Sequence, residues 1–355
     1  MKKLFALVLS LVMVLSLVAC GGNKDNAGSG DSGSGDSGSG TEQSGGSTTD
    51  YSNVKIGVLL SGSSKDGGWS QMAADAATAA AATYPGATVN FTEMLAATDF
   101  ESAMRAYADA GYTIIVAHGA EFLDASKLVS AEYPDITFIN TSAQEAGMAG
   151  APANLTGIDF ATFQLGFLNG AACAMATNAK KIGAVGSMEV DSLIAWVQGV
   201  KAGAAYIDPS CEVIDVWTGT FDDALKAKQA VDALAQQGVD IVTQNADACG
   251  TGAVQQCDEL KLMNVGAVSD QTTLGKSCMV SVIQDAQLGI TKAIEKAVAG
   301  NLAGGFVSMG AADGVISLTA YTGDYADVLT ADEKAVLQDL WQKCYDGVDL
   351  ATLTK

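Results

Sequence analysis

The 355-residue chain has one histidine, His118, which limits the chemistry open to it. A single imidazole cannot build a multi-histidine metal site, and a Ser-His-Asp triad is open only with His118 as its base. No Gly-x-Ser-x-Gly elbow occurs to hold such a serine. Glu121 and Asp124 follow His118 at first-turn helix positions, where the dipole favours acids for structural reasons. No Walker motif is present, and Gly250-Thr251-Gly252 lacks the pattern of a dinucleotide fingerprint. That glycine turn still offers backbone N–H donors to a ligand oxygen at a helix start. The reading is a non-enzymatic chain without cofactor or metal.

Binding chemistry is better supplied. Trp69 follows Gly67-Gly68, an unusual place for a core tryptophan, and Phe160, Trp196 and Phe221 lie further along. Flat aromatics around a cleft suit a flat heteroaromatic ligand held by offset stacking. Asp66, His118, Asn140, Asn245, Asp247 and Asp270 are the polar candidates for a ligand's ring edges and hydroxyls. For each aromatic the competing role is packing, which is the stronger reading for Trp217 and for Trp341 in a C-terminal helix. Arg105 is the single arginine and falls mid-helix, so a carboxylate or phosphate ligand would lack its usual guanidinium partner. A neutral ligand is expected.

These residues need strands and helices to bring them together. Short apolar runs at 54–60, 88–91, 113–117 and 137–140 alternate with helical stretches at about 69–84, 99–110 and 119–133. Unbroken apolar strands of this kind belong to parallel sheets covered on both faces. The pattern restarts after Gly157, with strands at 181–186, 212–217, 241–245, 264–268 and 279–283 between further helices, one of them opening near Gly250. Two such α/β units predict two doubly wound lobes around a cleft. Ligands then bind beyond the carboxyl ends of the strands. Every candidate except Phe160 and Trp196 falls at or just after such an end.

The front of the chain is an address. Lys2 and Lys3 precede an apolar run of 16 residues, Leu4 to Ala19, short of the roughly 20 that span a bilayer. Its end, Leu17-Val18-Ala19-Cys20-Gly21, resembles the bacterial lipobox, which implies cleavage before Cys20 and a diacylglycerol anchor on its sulfur. Residues 21–53 are a Gly/Ser/Asp tract nearly bare of apolar side chains, a flexible tether reaching roughly 30 Å. With a formal charge of −21, the chain lacks the cationic footprint of a nucleic-acid binder and is repelled by anionic headgroups. Six cysteines follow Cys20 without a Cys-x-x-Cys motif, so disulfides and buried thiols are both open.

Lipobox, tether, and a first strand leading to Asp66-Gly67-Gly68-Trp69-Ser70-Gln71 together resemble the basic membrane protein (BMP) family of substrate-binding lipoproteins. Further matches are Tyr133-Pro134-Asp135-Ile136-Thr137-Phe138, Gly219-Thr220-Phe221-Asp222-Asp223, Gly250-x-Gly252 and Ser269-Asp270-Gln271, so the likeness covers about 54–320. It implies a type I periplasmic-binding-protein fold with three crossovers and hinge closure over the ligand. It also implies an ABC transporter permease as partner and a purine nucleoside or nucleobase as ligand, on the outer face of the cell membrane. The chain departs from the pattern at four positions. Asn140 and Val268 stand where acids are found, Gln284 where a Lys is common, and Asp247 where a Gly precedes the Gly250 turn.

The expected organisation is a signal peptide at 1–19, the lipidated Cys20 and linker at 20–53, and two lobes. The N-terminal lobe takes 54–157 plus about 281–312, and the C-terminal lobe 158–280 plus about 313–355. The competing functions are a sugar or signalling-molecule receptor on the same fold and an anchored nucleoside-cleaving enzyme.

Overall fold

Apolar runs such as Lys55–Leu60 and Ile114–His118 have no polar face to give to water, and in the structure each is an interior strand buried by helices. The computed structural model describes residues 49–65 and 69–353. The signal segment, Cys20, nearly all of the tether and Asp66 lie outside the described residues. The described residues belong to one compact unit, Thr48–Lys355.

The first sheet contains β1 (Lys55–Leu60), β2 (Thr88–Thr92), β3 (Ile114–His118), β4 (Thr137–Thr141), β5 (Leu155–Asp159) and β11 (Gly305–Ser308). Its order is β11-β5-β4-β3-β1-β2, all parallel. Helices α1 (Trp69–Ala82), α2 (Phe100–Asp109), α3 (Leu123–Glu132) and α8 (Ala286–Val298) cover it. The second sheet contains β6 (Lys181–Gly186), β7 (Glu212–Trp217), β8 (Ile241–Asn245), β9 (Met263–Val268), β10 (Cys278–Gln284) and β12 (Ile316–Leu318). Its order is β12-β10-β9-β8-β6-β7, parallel except for β12 against β10. Around it lie α4 (Thr162–Ala176), α5 (Asp191–Ile207), α6 (Ala224–Gln236), α7 (Asp247–Leu260) and α9 (Ala331–Tyr345).

The chain passes between the sheets three times: at 160–161 after β5, at 285 after β10, and at 309–315 after β11. The sequence reading put the second passage at about 281. β10 instead stays in the second sheet to Gln284, because Val280–Ile283 pair with β9 and Val282–Gln284 with β12.

The second lobe is built on a close helix pair. A Cβ on Gly166 or Gly170 of α4 would stand 2.1 Å from the Trp196 carbonyl oxygen or 2.0 Å from that of Val200. In return, a Cβ on Gly203 of α5 would stand 1.9 Å from the Phe167 carbonyl oxygen. Only hydrogen fits there, so the two backbones touch and α4 is fixed beside the first crossover. Cys173, Cys249, Cys257, Cys278 and Cys344 are buried free thiols, and Cys211 is a half-buried one. Burial pushes the Cys173 and Cys257 thiols far up, which keeps them unreactive. No helix among the described residues is long and apolar enough to cross a membrane.

Candidate functional site

The first lobe brings its candidates into contact. Trp69 opens α1 just beyond β1, and His118 ends β3, the neighbour of β1. Their rings stack at 4.2 Å with 28° between planes, and Phe160 meets the indole edge-on at 6.3 Å and 77°. His118 is buried and has both nitrogens engaged. Nε2 lies 2.9 Å from the Trp69 carbonyl oxygen, and Nδ1 lies 2.9 Å from Thr141 Oγ1. A carbonyl only accepts, so Nε2 carries a proton; Nδ1 then accepts from the Thr141 hydroxyl, which itself accepts from Gly119 N–H. His118 is therefore a support beneath Trp69 rather than a polar contact for a ligand.

Asn140 corrects a second expectation, that its amide faces the cleft with a free donor and acceptor. It is 0% exposed, and Nδ2 donates to the carbonyl oxygens of Gly119 at 2.9 Å and Ala117 at 3.3 Å. Only Oδ1 has no hydrogen-bond partner. The side chain thus ties β4 to the end of β3 and keeps one unmatched acceptor.

The second lobe leaves its candidates more open. Phe221 lies beyond β7 and is 45% exposed, with its carbonyl oxygen bonded to Cys249 N–H at 2.7 Å. Asn245 ends β8 half-buried, and exposed Asp247 opens α7 with φ 53°. Asp270 follows β9 and turns its Oδ1 back onto the amide and hydroxyl of Thr272. Trp196 is not among them. It is 0% exposed between α4 and α5, and its indole N–H is given to Asn169 Oδ1 at 3.1 Å. Nor do Gly250 and Gly252 form a turn. They lie inside α7, where Gly250 makes room for the Gln244 side chain and Gly252 for the Ala224 carbonyl. The Gly250 N–H is already bonded to the Ala246 carbonyl oxygen.

Residues that the sequence reading passed over share these strand ends. Ser187 Oγ after β6 and Gln271 Oε1 after β9 are buried without a hydrogen-bond partner. Buried polar atoms are normally paired, so such orphans at strand ends mark places for a ligand or water. Asp159 ends β5 almost fully buried, and burial raises its carboxyl above the usual carboxylate range despite donors from Thr162, Ser308 and Ala161. Positive φ at Ser142, Ala161, Asp247 and Val268 falls at the ends of β4, β5, β8 and β9, the edge where functional strain gathers. Among the described residues no cluster of His, Cys, Asp and Glu can hold a metal ion.

The comparisons with known proteins agree with this geometry. The family model "ABC transporter substrate-binding protein PnrA-like" matches residues 53–348. The chain is 26% identical over 211 residues to the transcriptional activator protein med of Bacillus subtilis, covering 58% of this chain and 63% of that one. It is 28% identical over 188 residues to the ABC transporter nucleoside-binding protein BmpA of Lactococcus lactis, covering 51% and 52%. The matches thus span between about half and two thirds of these relatives' own length. Among solved structures, an ABC transporter solute-binding protein of Conexibacter woesei superposes with a TM-score of 0.63 at 25% identity, over 83% of this chain and 97% of that one. The two lobes and three crossovers are the type I periplasmic-binding arrangement. The chain belongs to the PnrA-like, or basic membrane protein, family of ABC transporter substrate-binding proteins.

Proposed function

We propose that the chain captures a purine nucleoside or nucleobase between its lobes and delivers it to an ABC importer, held to the outer face of the membrane by a lipid on Cys20. The observation that carries this reading is the Trp69–His118–Phe160 cluster at the strand ends of the first lobe. His118 braces one face of the half-buried indole, an arrangement that suits stacking of a flat ligand ring. Phe221 supplies an exposed aromatic from the second lobe. The unmatched acceptors Asn140 Oδ1 and Gln271 Oε1 suit N–H and hydroxyl donors of an uncharged ligand.

Charge supports the same choice. Arg105 is held on the outside of α2 and α3 by Glu132 at 2.7 Å and Glu101 at 3.0 Å, away from the strand ends. No guanidinium is thereby left for a phosphate or carboxylate. A transcriptional role of the kind named for the Bacillus subtilis relative finds no support in a surface of net charge −21.

Mass spectrometry of small molecules released from the purified protein tests the proposal. A purine nucleoside or base is the expected species. A sugar recovered in its place overturns the ligand assignment and leaves the transport role standing. For the anchor, Cys20→Ala should release the protein from membranes, and unchanged fractionation would show that the address was misread.

A further inference from the structure

Each of the three crossovers is preceded by a strand whose last residue is polar. Asp159 ends β5, Gln284 ends β10 and Ser308 ends β11. Their side chains converge. Asp159 Oδ1 accepts from Thr162 Oγ1 at 3.0 Å, and Oδ2 accepts from Ser308 Oγ at 3.2 Å. Gln284 Nε2 donates to Thr162 Oγ1 at 3.2 Å and to the Phe160 carbonyl oxygen at 2.9 Å. Backbone bonds run alongside, from Met309 N–H to the Asp159 carbonyl and from Asp285 N–H to the Val315 carbonyl, both at 2.8 Å. The chain Ser308–Asp159–Thr162–Gln284 therefore touches all three passages between the lobes.

This chain also reaches the aromatic cluster. Phe160, whose carbonyl Gln284 holds, sets its ring in T-shaped contact with Trp69. The same ring lies on Gly289 of α8, where a Cβ would come within 2.8 Å of it. Beside it, Ala161 adopts φ 51°, a conformation that a residue with a Cβ holds only when its surroundings impose it.

We infer that Asp159 is a positioning residue for ligand capture: through this hydrogen-bonded clasp it couples the three crossovers and seats Phe160 against Trp69. The physical reason lies in the shortness of the crossovers. Two of them have one or two residues, so any lobe rotation must be absorbed by a few backbone angles. A carboxyl group shared between two of them makes those angles move together. The inference does not depend on which ligand is bound.

Hydrogen–deuterium exchange on the full ligand-free chain tests it, comparing the wild type with Ser308→Ala, Thr162→Val and Thr162→Ser. Ser308→Ala should raise exchange around Asp285 about fivefold, the factor carried by one ordinary hydrogen bond, although Ser308 is not bonded to that segment. Thr162→Val should do the same around Met309, and Thr162→Ser, which keeps the hydroxyl, should restore the wild-type rate. Strands β3 and β8 should stay unchanged. Faster exchange only in the segment carrying the substitution overturns the inference, as does a Thr162→Ser protein as loose as Thr162→Val. Should Thr162→Val lose protection in β3 and β8 as well, Ser308→Ala decides alone, since Ser308 is exposed and outside the core.

Discussion

At the carboxyl ends of the first sheet the candidate side chains are tied to one another. Trp69, His118 and Thr141 form one bonded and stacked group, and the Asn140 amide nitrogen is spent on the carbonyls of Ala117 in β3 and Gly119 just after it. At the ends of the second sheet, Phe221 is 45% exposed and Asp247 and Asp270 also face solvent. The sheets share one order of strands, so the difference lies in the strand ends themselves. A preassembled wall loses little freedom when a ligand lands on it, whereas open side chains must be ordered at that moment. The first lobe is thus suited to receive the ligand, and the second to close over it.

The comparison breaks most easily at Asn140. An aspartate there would aim a buried carboxylate at two carbonyl oxygens that now receive N–H donors. Asn140→Asp should lower stability by about 3 kcal/mol or more. Denaturant unfolding measures this, and a midpoint equal to the wild type would mean that the amide is not seated on β3.

The next effect concerns binding rather than folding. Trp69→Ala should weaken a purine nucleoside by about 1–3 kcal/mol, the range of one base–aromatic stack. Phe221→Ala should cost less, about 1 kcal/mol, with no change in melting temperature because its ring is already exposed. If Phe221→Ala proves the more damaging of the two, the roles of the lobes are reversed.

The smallest effect is a pH dependence. Burial holds the Asp159 carboxyl above the ordinary carboxylate range, so the folded state binds its proton more tightly than the unfolded state does. Its contribution to stability is full below the unfolded pKa of about 4 and is lost as pH rises through the folded value. Asp159→Asn removes that loss. Melting curves from pH 4 to 7 should show the variant gaining on the wild type as pH rises, and parallel curves would contradict the assignment.

Much of the architecture was legible because apolar runs and helical stretches alternate with little ambiguity. The strand expected at 113–117 runs from Ile114 to His118, and the helix opens at Trp69 as the pattern puts it. The strands β5, β11 and β12 were not legible. Leu155–Asp159 has only two large apolar residues, and β11 and β12 are four and three residues long, so partners rather than composition define them. The start of α7 was misread because Gly250 and Gly252 look like turn residues, while their smallness answers to Gln244 and Ala224. Trp196 was misplaced for a related reason. Its partner Asn169 is 27 positions away, and nothing local in the sequence signals that bond. The clasp joins Asp159 to Ser308 across 149 positions, which only the folded topology brings together.

Titration calorimetry of the ligand-stripped wild type and Trp69→Ala proteins with adenosine, guanosine and galactose separates a purine site built on Trp69 from a sugar site. One nucleoside site per chain is expected, with no galactose binding and a Trp69→Ala affinity lower by about 1–3 kcal/mol. Galactose binding without either nucleoside, or equal nucleoside affinity in both proteins, would contradict it.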